Sequence, residues 1–370
     1  MATLTRTQLR VAIGKRLSQP YFRKFGGSGT ASTNGTTTTL IDTAKLKEED
    51  NYWRGQFIYL PATDELREIS AFTNSSSTVT WLAAVAGTAS TASGVAYEIW
   101  SQFTPHQVHD AINHALLRAW PAFFSTTMDE SLVIKDGKGL KYTLPTTNVI
   151  RRLCQIYLMI YQSVTGTITT LGTATQVIDS AASFTSADVG KYVAAYRACG
   201  TATGEIKQVS AVVSGTELTV GAFSAALSLS GSYRLLNKED TTPAQLPVVN
   251  AITDAPEFPT LLWFGQHLAG YEGFPIQLMY EYEYPKLTAE ASTTTCPEEF
   301  VYAVAMSYIY MLKLATAPAV EQPAWDAMFK TTTALAELYA RTHKFSHLSV
   351  MRVDHNAMVS SIPADYPFRE

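Results

Sequence analysis

Charge is scarce in this chain. Asp, Glu, Lys and Arg make up 16% of its 370 residues, against about 25% in an average soluble protein. Thr, Ser and Ala take their place. A surface so poor in charge favours association, so the composition predicts an oligomer. Basic runs are missing too: 28 Lys and Arg face 32 Asp and Glu, a formal net charge of −4. That excludes a phosphate-gripping surface of the kind sequence-specific nucleic-acid binders carry. A mild acidic balance still suits a passage along which a polyanion moves without sticking. There are three cysteines, Cys154, Cys199 and Cys296. Their number and spacing fit neither a disulfide framework nor a metal knuckle, and they read as buried, reduced thiols. The start Met1-Ala2-Thr3-Leu4-Thr5-Arg6 lacks the apolar centre of a signal peptide. No apolar run reaches the roughly 18 residues of a membrane span. A soluble, cytoplasmically made protein without membrane partners is the expectation. Neither Gly26-Gly27-Ser28-Gly29 nor Gly137-Lys138-Gly139 has phosphate-loop order, and no Gly-x-Ser-x-Gly elbow occurs.

What the chain does have is a duplication about 137 positions apart. Leu40-Ile41-Asp42-Thr43 returns as Val177-Ile178-Asp179-Ser180, and Gly55-Gln56-Phe57-Ile58 as Gly190-Lys191-Tyr192-Val193. Glu65-Leu66-Arg67-Glu68-Ile69-Ser70-Ala71 returns as Glu205-Ile206-Lys207-Gln208-Val209-Ser210-Ala211. The copies close on Tyr97-Glu98-Ile99 and Tyr233-Arg234-Leu235. Two copies are too few for a solenoid. Their β-branched alternation and polar turns predict one small antiparallel β module inserted twice into a helical host. Trp53 and Trp81 of the first copy align with Asp188 and Val220 of the second, so the modules are expected to share a fold and touch different neighbours.

Around the copies, Thr5 to Leu17 reads as an amphipathic helix with Leu9, Ile13 and Leu17 on one face. Thr104-Pro105 opens a second helix, striped by Val108, Ala111, Ile112, Ala115, Leu116 and Ala119. Residues 131–134 and 140–145 read as a hairpin across Asp136-Gly137-Lys138-Gly139. Residues 149–159, 260–264 and 276–280 read as further strands, with 260–264 pairing back onto the region 131–160. Tyr280-Glu281-Tyr282-Glu283-Tyr284 alternates as a strand with one aromatic face. Pro297-Glu298-Glu299 starts a long helix, with Pro in its first turn and acids at its positive end. A last helix is predicted to turn Trp325, Phe329, Leu335, Leu338 and Tyr339 inward. The expected fold class is α+β: a helical adaptor core with a small antiparallel sheet, two inserted barrel- or sandwich-like β modules, and an extended C-terminal arm. The expected divisions are 1–27, an N-terminal core helix; 28–100, the first module; and 101–163, core helix and strands. They continue with 164–236, the second module; 237–345, core strands and a C-terminal helix pair; and 346–370, the arm.

Chemistry-bearing residues are few. His106, His109 and Asp110 share one helix face, but His114 lies on another and no second cluster completes a ligand set. His343, His347 and His355 have no nucleophile in view. Glu48-Glu49-Asp50 and Glu298-Glu299 read as solvated faces and helix capping. No catalytic, cofactor-binding or metal residue is expected, and no cofactor.

Three segments taken in order resemble the neck proteins, head-to-tail connectors or adaptors, of tailed-bacteriophage virions. They are the helix Val108-His109-Asp110-Ala111-Ile112-Asn113-His114-Ala115-Leu116 ending at Trp120-Pro121, the strand end Leu140-Lys141-Tyr142-Thr143-Leu144-Pro145, and Leu287-Thr288-Ala289-Glu290 followed by Cys296-Pro297-Glu298-Glu299-Phe300. The resemblance implies a non-enzymatic virion protein at the head–tail interface. It implies a homo-oligomeric ring, commonly a dodecamer, that joins the portal protein to tail or nozzle proteins around a passage for genomic DNA. The β modules would face capsid, fibres or neighbouring subunits. The arm would dock into the portal through Leu348, Val350, Met351, Arg352, Met358, Ile362, Tyr366 and Phe368. Other readings of the same residues are a tail, fibre-attachment or decoration protein, and a carbohydrate-active or lectin-like protein with appended modules.

Overall fold

A computed structural model describes residues 3–17, 27–135, 141–197, 204–238, 244–247, 251–253, 259–264 and 270–345. The chain divides into two compact units: Met1–Phe124 with Tyr284–Phe345, and Ser125–Glu283. More residues lie in strands than in helices, so the fold is mostly β and not the expected α+β fold built on a helical adaptor core. Segregation explains the difference. The four α-helices among the described residues all belong to the first unit, whereas 125–283 forms sheets around a hydrophobic core of its own. Every strand pairing described is antiparallel.

The first unit opens with β1 (Leu4–Thr5) and α1 (Arg6–Leu17). The first module follows: β2 (Gly27–Thr30), β3 (Thr33–Thr36), β4 (Thr39–Ile41), β5 (Phe57–Leu60), β6 (Glu65–Thr73), β7 (Thr78–Trp81) and β8 (Ala96–Trp100). Next comes α2 (Pro105–Leu117), entered through a capping box in which the Thr104 hydroxyl accepts from Gln107 N while the Gln107 amide oxygen accepts from Thr104 N.

The second unit holds β9 (Ser125–Val133), β10 (Lys141–Thr143) and β11 (Ile150–Ile160). Its module comprises β12 (Gln162–Thr167), β13 (Gln176–Ile178), β14 (Tyr192–Arg197), β15 (Glu205–Ser214), β16 (Glu217–Val220) and β17 (Ser232–Asn237). It continues with β18 (Ala244–Pro247), β19 (Ala251–Thr253), β20 (Leu261–Phe264) and β21 (Pro275–Tyr282). The chain returns to the first unit with β22 (Thr293–Thr294), α3 (Glu298–Thr316) and α4 (Gln322–Thr342).

In the first unit, Leu9, Ile13 and Leu17 of α1 share one core with Val108, Ala111, Ile112 and Ala115 of α2. Phe300, Val301 and Ala305 of α3 and Trp325 of α4 belong to it too. Tyr59 and Trp100 of the first module reach into this core, which makes module and helices one packed body. In the second unit β21 lies between β11 and β9 in a four-stranded sheet, order β18-β11-β21-β9. β10, β20 and β19 form a separate sheet.

The expected hairpin of residues 131–145 does not form. β9 pairs with β21, and β10 pairs with β20. Its turn, 136–140, lies outside the described residues, but the register is explicit: Val133 opposes Pro275 and Tyr142 opposes Leu262. Long apolar partners outcompeted the local turn signal.

The two modules are the same fold. The first has strand order β2-β8-β5-β6-β7-β4-β3, and the second β12-β17-β14-β15-β16-β13, which is the same order without the last edge strand. The agreement extends to single hydrogen bonds. Gly55 N donates to Ile69 O at 2.8 Å and Gly190 N to Val209 O at 3.0 Å. Both glycines have positive φ, +77° and +90°, a conformation that other residues adopt only with strain. Register shifts at Ile69/Ala71 and Val209/Ala211 mark the same bulge.

In α4 the residues turned inward are Trp325, Thr332 and Ala336, with Phe329 and Tyr339 partly covered. Leu335 and Leu338, expected inside, are 52% and 57% exposed. Thr332 and Ala336 sit on the buried face, which leaves the two leucines on an exposed flank of the helix. No helix among the described residues is long and apolar enough to cross a membrane.

Candidate functional site

The densest polar constellation of the first unit surrounds Arg10. Arg6 and Arg10 stand one helical turn apart on α1, so their side chains share a face. β1 pairs with β22, which draws the 287–294 segment alongside the start of α1 and delivers Glu290 to that face. Glu98 comes from β8, Tyr59 from β5 and His109 from α2.

Arg10 is fully buried. Its Nε and Nη2 donate to the two oxygens of Glu98 at 3.0 and 2.8 Å, a bidentate fork. Its Nη1 donates to Glu290 Oε2 at 2.5 Å and to His109 Nε2 at 2.8 Å. The guanidinium lies 4.9 Å from the centre of the Tyr59 ring. Glu290 also accepts from Arg6 Nη2 at 2.7 Å and from the Thr7 hydroxyl at 2.6 Å. The Tyr59 hydroxyl donates to Asp64 Oδ1 at 2.6 Å and stands 3.1 Å from Glu290 Oε1.

The electrostatics follow from this geometry. Burial works to raise the Glu290 carboxyl, but the Thr7 hydroxyl and the Arg10 and Arg6 guanidiniums outweigh it and push it down to about 2. Burial, then the charges of Arg10 and Arg6, push His109 down to about 3. His109 is therefore neutral at pH 7. Because a guanidinium only donates, His109 Nε2 must be the acceptor, which assigns its proton to Nδ1. Burial raises the Tyr59 phenol, reinforced by its bond to Asp64.

Asp64, His109 and Glu290 offer three ligand atoms within 4.8 Å of one another. They do not suit a metal ion. The His109 lone pair already takes an Arg10 proton, both Glu290 oxygens take cationic or hydroxyl donors, and a cation would meet the Arg10 guanidinium. The arrangement is a clamp: a buried cation that holds α1, α2 and the 287–294 segment in one register with the inner strands β5 and β8 of the first module.

The second unit has a smaller counterpart. Glu130 on β9 accepts from Lys238 Nζ at 2.6 Å, the Tyr161 hydroxyl at 3.0 Å and Gln277 Nε2 at 2.8 Å. Burial opposes ionisation of Glu130, and Lys238 prevails, holding it below its usual range. Lys238 follows β17, so this lock ties the second module to the four-stranded sheet of its unit.

The sequence-predicted candidates are dispersed. His106 is half-exposed, 3.4 Å from Asp64; His109 is spent in the clamp; His114 stacks on Tyr308 at 4.5 Å. Glu299 pairs with Arg16, and Glu298 accepts from the Tyr302 hydroxyl at 3.4 Å. Cys154 and Cys296 are buried, and burial raises both thiols. Cys199, His347, His355 and all eight arm residues, Leu348, Val350, Met351, Arg352, Met358, Ile362, Tyr366 and Phe368, lie outside the described residues. Sequence reasoning missed Arg10, Glu98 and Glu290. The available signals were an arginine on the apolar face of α1, between Leu9 and Ile13, and a glutamate inside Tyr97-Glu98-Ile99-Trp100.

Two of the segments that carry the connector resemblance meet in the first unit. Asn113 Oδ1 accepts from Leu287 N at 2.8 Å, and Asn113 Nδ2 donates to Leu287 O at 3.5 Å. No protein-family model, no curated protein and no solved structure matches the chain.

Proposed function

We propose that the protein is a structural subunit of a tailed-phage virion neck, assembling into a homo-oligomeric ring between the portal and the tail. The observation that carries this reading is the outer face of α4. Ala334, Leu335 and Leu338 stand exposed there at helical spacing, while the neighbouring face of Trp325, Thr332 and Ala336 is already taken up inside the first unit. An apolar stripe left over after the subunit has folded is the kind of surface that side-by-side helix packing between subunits covers. The charge-poor composition points the same way. The bond between Asn113 and Leu287 adds support, because it brings two connector-like segments into one frame.

In this reading the subunit body is mostly β, the modules are peripheral binding parts, and DNA contacts are non-specific. Mass photometry and negative-stain imaging of the purified protein, alone and with portal protein, test it. Closed rings, or ring formation on portal addition, are expected. A monodisperse monomer in both samples overturns the reading.

A further inference from the structure

The second module carries a cleft of about 550 Å³ that no part of the neck reading uses. Thr165 and Thr167 of the edge strand β12 line it together with Phe184 and Asp188. Asp179 and Tyr233 belong to the lining and are buried. The Tyr233 hydroxyl donates to Asp179 Oδ2 at 2.9 Å, and the Phe184 and Tyr233 ring centres are 6.4 Å apart. The volume lies within the roughly 300–1,000 Å³ of small-molecule sites.

Comparison with the first module shows how the second differs here. Gln56 N donates to Trp53 O at 3.1 Å, and Lys191 N to Asp188 O at 3.2 Å, each one residue after the positive-φ glycine. Trp53 and Asp188 are therefore the same position. In the first module an indole belongs there to the hydrophobic core that holds Tyr97 and Leu46. In the second a short carboxylate takes its place and lines the cleft.

The lining has a definite chemistry. Asp179 Oδ2 accepts from Tyr233 and from Thr167 N, and Oδ1 only from Ala181 N at 2.9 Å. Asp188 Oδ1 accepts from Lys191 Nζ at 2.7 Å. Each Oδ1 keeps a lone pair for a further donor. Lys191 offsets the Asp188 charge, and three donors already solvate Asp179, which leaves little pull for a free cation. Two carboxylates repel an anion. What remains is acceptor capacity for hydroxyl groups, threonine hydroxyls that donate or accept, and apolar carbon from Val164, Ala181 and Ala182 beside the rim of Phe184.

We infer that this cleft binds a neutral sugar residue, so that the second module is a glycan-binding module and the first is not. Saturation-transfer difference NMR on the full chain tests this with glucose, galactose, mannose, rhamnose and N-acetylglucosamine as probes at millimolar concentration. Glucuronate and spermidine serve as charged comparators. Transfer to at least one neutral sugar is expected, with loss of the signal in two variants. Asp188→Trp installs the first module's residue. Thr167→Trp blocks the cleft from an exposed position, and the bond that Thr167 makes to Asp179 uses its backbone. Thr167→Trp guards against a folding defect in Asp188→Trp, because it leaves the Asp188 contacts with Thr185 and Lys191 intact. No transfer to any neutral sugar overturns the inference. So does a signal that survives in Thr167→Trp, or binding of glucuronate or spermidine alone.

Discussion

The hydroxyl of Tyr97 donates to Asp42 Oδ2 at 2.8 Å, and that bond is duplicated: Tyr233 makes it to Asp179 at 2.9 Å. In both copies the other carboxylate oxygen accepts a backbone N–H two residues on, from Ala44 and from Ala181. A glycine lies beneath each tyrosine ring, Gly29 and Gly166, and a side chain at either position would overlap the ring. Each module is thus pinned by the same buried Gly–Tyr–Asp contact, which ties its last strand to the turn after its Asp.

Replacing Tyr97 by Phe strips a donor from a buried carboxylate, at a cost of about 1–3 kcal/mol. The loss is local to one unit. In hydrogen exchange, the amides of Phe57–Leu60 lose protection in Tyr97→Phe, while those of Tyr192–Arg197 keep it. Tyr233→Phe reverses the pattern. Equal loss in both regions would show that the modules are not independent pins.

Arg10 is the larger energetic commitment of the first unit. Arg10→Met leaves Glu98 buried without its cation, and breaking a buried pair from one side costs about 3–5 kcal/mol. Removing both charges, in Arg10→Met/Glu98→Gln, recovers part of that loss, because no unpaired charge remains. Urea titration of the two single variants and the double variant measures the coupling. Additive losses would mean that the fork carries no interaction energy.

Acid weakens the same clamp in two stages. His109 titrates at about 3 in the folded protein against 6.5 unfolded, so below pH 6.5 the unfolded chain binds the extra proton. Stability falls from there downward. Glu290, at about 2 folded against 4.5 unfolded, adds its loss as pH drops below 4.5 towards 2. His109→Gln is expected to flatten the slope of stability between pH 6.5 and 4.5 and to leave the steeper acid limb. Thermal melts of the first unit across that range check it, and an unchanged slope would remove His109 as the titrating group.

The duplication, the strands β11 and β21, and all four helices were legible in the sequence because each rests on local pattern. The fold class was not. The stretch 125–283 reads as connecting core only until β9 is seen to pair with β21, more than 140 positions later, instead of closing its own hairpin. The clamp was illegible for the same reason. Arg10 meets Glu98 across 88 positions and Glu290 across 280, and no spacing rule reaches that far. Leu335 and Leu338 misled in another way: an apolar residue on a helix marks a contact face, but not whether the contact lies inside the subunit.

That last ambiguity yields a direct test of assembly. Leu335 and Leu338 are exposed, and their neighbours on the buried side, Thr332 and Ala336, hold α4 against α3 without them. Leu335→Glu with Leu338→Glu therefore leaves the subunit fold in place; surface changes of this kind usually alter stability by about 0.5 kcal/mol or less. If the stripe is the contact between subunits, two carboxylates buried in each interface break it, because an unpaired buried charge costs far more than a covered leucine gains. Mass photometry is expected to show the wild-type ring population replaced by monomer, with circular dichroism and melting temperature unchanged. Rings that persist in the double variant would move the subunit contact away from α4.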